Sequence, residues 1–147
     1  MEVLIENRQN RRRMKKQEIH TTARRILNAL GYPEAQLSIL IVDDPQMAEF
    51  NLTYLNHVGP TNVIAFPMQE GPFSDISPDL LGDVVISADT AYREAVEAGM
   101  EMTERFNQLL IHGILHLTGY DHIHSEEAAA VMEQKSNELM ERIREEE

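Results

Sequence analysis

The sequence contains no cysteine, and none of its apolar runs is long enough to cross a bilayer. Without cysteine, disulfide bonds and thiolate metal sites are excluded, so any metal ligand must be a nitrogen or an oxygen. The first residues also lack the basic and apolar segments of a secretion signal. We therefore expect a soluble, cytoplasmic protein that has no membrane partner.

Basic residues are scarce: the sequence has 13 Lys and Arg and 25 Asp and Glu, which gives a net charge of −12. Such a charge ordinarily disfavours nucleic acid, because phosphates repel an acidic surface. Residues 1–25, however, contain eight basic and three acidic residues (8 − 3 = +5), which leaves 5 − 22 = −17 for the remainder. The cluster "RRRMKK" at residues 11–16 is either a phosphate-binding patch or a solvated helix start, and charge alone leaves both open.

The length of 147 residues fits one domain over residues 1–147. Four apolar segments predict strands, at "EVLIEN", "AQLSILIVDD", "TNVIAFPM" and "LLGDVVIS". Five segments with helical spacing are interleaved with them or follow them, and the last two, around residues 103–119 and from Ser125 onward, are the longest. Leu55 falls on the second helix. This order predicts an α/β or α+β fold around one sheet.

Four of the six histidines lie in the apolar stretch "IHGILHLTGYDHIH", residues 111–124. His112 and His116 are four residues apart on a predicted helix, so they share one face and can bind one metal ion. Gly119 is suited to ending that helix in a left-handed conformation, which allows His122 to supply a third nitrogen. Three imidazoles and an exchangeable water describe a catalytic zinc site rather than a structural one.

Other roles for these residues stay open. A lone histidine in an apolar helix is more often a hydrogen-bonded core residue than a ligand, but one metal satisfies three imidazoles together. If the segment after the helix is extended, His122 and His124 point to opposite sides and only one of them reaches the metal. Asp121 either orients a metal ligand or holds the turn through its own backbone.

The spacing H-x-x-x-H-x-x-G-x-x-H resembles the zinc signature of the metzincin proteases. In that signature the residue after the first histidine is a glutamate that acts as general base, whereas here it is Gly113. A peptidase is therefore the weaker alternative. Because glycine destabilises a helix by about 1 kcal/mol relative to alanine, we expect Gly113 to leave space beside the metal, for example for a substrate.

The segment "HGILHLTGYDH" is also similar to the H-G-x-L-H-L-x-G-Y-D-H signature of the YbeY family of bacterial endoribonucleases. "LLGDVVIS" and "PTNVIAFP" resemble two further strands of that family. The resemblance implies a mixed four-stranded sheet packed with about five helices, an α+β fold, and one Zn²⁺ bound by His112, His116 and His122. It implies cleavage of single-stranded RNA in ribosomal RNA maturation and ribosome quality control, with ribosomal RNA and the ribosome, and not DNA, as partners.

Three positions depart from the family pattern. The arginine expected after Tyr54 is Leu55, and Asn62 and Ala65 replace an aspartate and a serine. Leu55 either packs in the core or faces the substrate cleft. These changes leave open the alternative of a non-catalytic, ribosome-associated zinc protein, which a fourth protein ligand such as His124 would favour.

Overall fold

The computed structural model describes residues 3–68, 80–120 and 125–146, which form four strands and five helices. In chain order they are β1 (Val3–Asn7), α1 (Lys16–Ala29), β2 (Gln36–Val42), α2 (Asp44–Leu55), β3 (Val63–Pro67), β4 (Leu80–Ser87), α3 (Ala88–Ala98), α4 (Met102–Leu117) and α5 (Glu126–Glu146). Every strand and helix predicted from the sequence is present. The α+β prediction is confirmed.

The four strands form one mixed sheet in the order β1-β2-β4-β3. Strands β1, β2 and β4 are parallel, and β3 pairs antiparallel to β4. The close pairing of β3 with β4 depends on Gly82, because a β-carbon there would lie 2.1 Å from the carbonyl oxygen of Phe66. Its φ of +142° is also one that side-chain-bearing residues rarely adopt.

One face of the sheet carries the main core. Alternate residues of a strand point to opposite faces, so Ile39 and Ile41 of β2 lie on the same side as Val84 and Ile86 of β4. Helices α1 and α4 pack on this face, and α5 packs against α1 and α4. Their buried side chains include Ile19, Ala23, Ile26, Leu27, Phe106, Leu110, Ile111, Ile114, Leu115, Met132, Leu139, Met140 and Ile143.

Helix α2 packs on the opposite face, where Met47 contacts a smaller apolar cluster with Val42, Ile64 and Val85. The helix begins at a capping box in which the Asp43 side chain accepts from the Gln46 backbone. Only Met47 and Asn51 are buried along α2, and Leu55 in its last turn is 43% exposed. The alternative that places Leu55 in the core is therefore wrong.

Two further helix ends have residues with known capping preferences. Gly99 ends α3 with φ +70°, and the Ser125 hydroxyl accepts from the Ala128 backbone at the start of α5. Among the described helices, none is both long enough and apolar enough to span a membrane.

Candidate metal centre

His112 and His116 lie one turn apart on α4, and their imidazoles converge. The two Nε2 atoms are 3.1 Å apart, and the ring centroids are 4.6 Å apart with the planes at 78°. The opposite side of α4 packs into the core through Phe106, Leu110, Ile111 and Ile114. Both imidazoles are therefore held on one stripe of a helix whose other side is anchored in the core.

The histidine pair fits a shared metal ion. Two nitrogens bound tetrahedrally to zinc at 2.0–2.1 Å lie roughly 3.3 Å from each other, close to the observed separation. The same separation also suits a hydrogen bond between one protonated and one unprotonated Nε2. The geometry of the pair therefore fits two ligands of one metal ion.

The predicted third ligand, His122, lies outside the described residues, as do Asp121 and His124. Their predicted roles stay predictions. Within residues 3–68, 80–120 and 125–146, no group of three or more His, Cys, Asp or Glu side chains is placed to hold a metal. The helix does end as predicted: Gly119 has φ +102°, and the Tyr120 backbone donates to the Leu115 carbonyl at 2.9 Å.

Gly113 has a different role from the one that the sequence suggested. A β-carbon at this position would lie 2.7 Å and 3.2 Å from the two methyl groups of Val84 and 3.4 Å from Val63. The absent side chain allows α4 to pack directly on β4 and β3. The space beside His112 at this position is thus filled by the sheet and is not available to a substrate.

A cavity of about 270 Å³ lies beside His112, between α4, α5 and the start of β3. Its polar lining consists of Asn62, Arg105, Gln108, His112, Ser136 and Asn137. None of the described residues that line it is acidic. Glu94 is not among these lining residues but pairs with Arg105 at 3.0 Å, so the described lining offers neutral polar groups and one ion-paired cation to an anionic group.

The N-terminal basic cluster is divided between two environments. The Arg11 and Arg12 guanidinium groups lie 3.6 and 3.8 Å from the buried Asp89 carboxylate, and Arg12 also stacks over the Tyr92 ring at 3.8 Å. These two arginines tie the segment before α1 to α3, which is a structural role that neither alternative for the cluster included. The local sequence gave no signal of Asp89, which is more than seventy positions away.

Three other basic residues of the N-terminal quarter line a second cavity, of about 570 Å³, between α1 and the start of α4. Arg13, Lys15 and Arg25 contribute positive charge to it, and Glu18 contributes the one acidic side chain among its described lining residues. These three residues bring part of the basic charge of the N-terminal quarter to a cavity, where Lys15 pairs with Glu18 at 3.7 Å. They surround a concave surface of the size that takes small ligands.

Asp44 at the start of α2 is the centre of a polar network that the sequence did not reveal. Its carboxylate accepts from the hydroxyls of Ser87 at 2.7 Å and Thr90 at 2.6 Å, and from Arg93. Burial raises the pKa of Asp44, but these three hydrogen bonds outweigh burial, so the pKa lies below its ordinary value. The network joins the first turns of α2 and α3 and holds Asp44 ionised.

Comparison with known proteins gives a consistent family assignment. The model of the family described as Endoribonuclease YbeY matches residues 4–144. The chain is 51% identical over 140 residues to the Endoribonuclease YbeY of Geobacter sulfurreducens, covering 95% of this chain and 93% of that protein. It is 50% identical over 143 residues to the protein of the same name from Syntrophotalea carbinolica, with 97% and 95% covered.

A solved structure gives independent support for the fold. The solution structure of a Thermotoga maritima protein superposes with a TM-score of 0.70, covering 99% of this chain and 91% of that one. The two sequences are 20% identical, so this likeness concerns the fold alone.

Proposed function

The chain belongs to the endoribonuclease YbeY family, and from that membership we propose that it is a zinc-dependent hydrolase of RNA phosphodiester bonds. The proposed substrate is single-stranded ribosomal RNA, cleaved during ribosomal RNA maturation and ribosome quality control in the cytoplasm. The ribosome is then the partner, and DNA is not a substrate. The observation that carries the proposal is the 3.1 Å convergence of the His112 and His116 Nε2 atoms.

The residues proposed to hold the zinc are His112, His116 and His122. Three neutral imidazoles leave the positive charge of the site uncompensated, which favours an anionic substrate. When bound there, zinc supplies Lewis acidity toward a phosphoryl oxygen. Rigid attachment of α4 to the sheet fixes the positions of His112 and His116 before substrate binds, which is the pre-organisation that electrostatic catalysis requires.

Two alternatives predict different outcomes. A metzincin-like peptidase needs a carboxylate base after the first histidine, and position 113 has no room even for a methyl group without displacing Val84. A non-catalytic zinc protein needs a fourth protein ligand in place of exchangeable water. The cavity beside His112, with no acidic group among its described lining residues, favours a polyanionic ligand over the peptide that the first alternative requires.

A substrate panel tests the proposal. Zinc-loaded protein should cleave single-stranded RNA, and should leave double-stranded RNA, single-stranded DNA and casein intact. His112→Ala should abolish RNA cleavage, whereas His57→Ala, which removes an exposed imidazole elsewhere, should retain it. Cleavage of casein would support the peptidase, and binding of RNA without cleavage would support the non-catalytic protein.

A further inference from the structure

Arg105 shares one face of α4 with the histidine pair. It precedes His112 by seven residues, which is two turns, so the two side chains lie on one stripe about 10 Å apart along the helix axis. Both line the 270 Å³ cavity between α4, α5 and β3. Of the described residues that line this cavity, Arg105 is the one with a permanent positive charge.

Two neighbours hold the Arg105 guanidinium in place. Its Nε and Nη2 atoms donate to Glu94 Oε1 at 3.1 and 3.0 Å, and Nη1 donates to Gln108 Oε1 at 2.8 Å. A guanidinium has five N–H groups, so these three bonds leave two for another acceptor (5 − 3 = 2). One of these is on Nη1 and the other on Nη2, and each can donate to a phosphate oxygen.

Asn62 keeps this part of the cavity from becoming more acidic. Its Nδ2 lies 3.3 Å from both carboxylate oxygens of Glu94 and donates to them. A carboxylate at position 62 would instead face Glu94 with like charge and would repel a bound phosphate. The amide therefore fits a site in which Glu94 orients Arg105 and, among the described residues that line the cavity, no further acidic group is added.

We propose that Arg105 binds an RNA phosphate next to the scissile phosphodiester in the same strand. Arg105 lies about 10 Å from His112 along α4, so the phosphate that it binds is a different one from the scissile phosphodiester beside the histidines. This inference rests on the proposed RNA substrate and names the residue that aligns it.

The first test compares Arg105→Gln with Arg144→Gln in the full-length, zinc-loaded protein. Arg144 pairs with Glu104 but does not line the cavity, so it is a matched control for the loss of an ion-paired arginine. Binding to a fluorescent single-stranded RNA is measured by anisotropy over a series of salt concentrations, with a gel check that the strand is intact. Arg105→Gln should weaken binding by about tenfold or more. The slope of log affinity against log salt should become shallower by about 0.7, the value for one phosphate contact on a single strand.

Two further measurements separate phosphate binding from a structural role. Glu94→Gln keeps an oxygen that accepts from Arg105 but removes the opposing charge, so it should strengthen RNA binding. The second measurement uses a series of RNAs, each with one uncharged methylphosphonate linkage at a different position. When this linkage replaces the phosphate that Arg105 contacts, next to the cleavage site, wild type and Arg105→Gln should bind the RNA with equal affinity. The metal content of both variants should match that of the wild type.

The inference is overturned if Arg105→Gln binds RNA with wild-type affinity and salt slope, or if it weakens binding without changing the slope. It is also overturned if Glu94→Gln weakens binding as Arg105→Gln does, because the two residues would then act only through the fold. These results differ from a failure of the proposed function. In that case the wild-type protein itself would not cleave RNA, whatever the phosphate contact of Arg105.

Discussion

Replacing Gly113 with alanine tests whether the space beside His112 belongs to the core or to a substrate. Alanine favours a helix over glycine by about 1 kcal/mol. The new methyl group, however, would lie 2.7 Å from one Val84 methyl and 3.2 Å from the other. Val84 is fully buried and β-branched, so it cannot rotate away, and overpacking of this kind costs about 1–3 kcal/mol. We expect the upper part of that range and a net loss of about 1–2 kcal/mol, which lowers the melting temperature by about 2–6 degrees.

The Val84→Ala background supplies the control. There the alanine methyl at position 113 enters space that the valine has vacated, so Gly113→Ala should become neutral or stabilise by up to about 1 kcal/mol. Thermal and urea denaturation of the four proteins in this double-mutant cycle measures the coupling. A rise in the melting temperature on Gly113→Ala in the wild-type background, accompanied by a loss of RNA cleavage, would refute the packing argument. It would restore the view that the glycine makes room for substrate.

Three further predictions concern other surfaces. Leu55→Arg should change the melting temperature by no more than about 1–2 degrees from the wild-type value, because the side chain is 43% exposed. The same change should strengthen RNA binding. A loss of several degrees would mean that Leu55 supports the fold. Arg13→Ser with Lys15→Ser should weaken RNA binding and flatten its salt dependence, unless RNA approaches elsewhere. The pKa of Asp44 is lower in the folded protein than in the unfolded chain, so its ionised carboxylate stabilises the fold above the unfolded-state pKa. This stabilisation is lost as the pH falls through the folded-state pKa. Asp44→Asn should therefore reduce stability at pH 7 and flatten the acid side of a plot of melting temperature against pH.

The sequence predicted the elements well because their signals are local. Helical spacing and capping residues located α4, and the four-residue separation of His112 and His116 predicted that their imidazoles would meet. Residues seven apart also lie on the same face of a helix. The sequence alone could therefore have predicted that Arg105 lies on the same side of α4 as His112.

The remaining features depend on contacts between distant segments. The short distance from Gly113 to Val84 arises from the packing of α4 on β4, which no local pattern encodes. Likewise, the neutralisation of Arg12 by Asp89 joins the N-terminal segment to α3. Charge counts described the cluster correctly as basic, but only the tertiary structure shows which of its cations pair with Asp89 and which line a cavity.

Zinc content of wild type, His116→Ala and His124→Ala, each purified without added metal, tests the central claim most directly. Elemental analysis should find about one zinc per chain in the wild type and in His124→Ala, because three imidazoles suffice for an open site. His116→Ala should lose most of its zinc and its RNA cleavage together, since it removes the central residue of the chelate. Equal zinc in all three proteins, or cleavage that persists after complete removal of zinc from the wild type, would contradict the account.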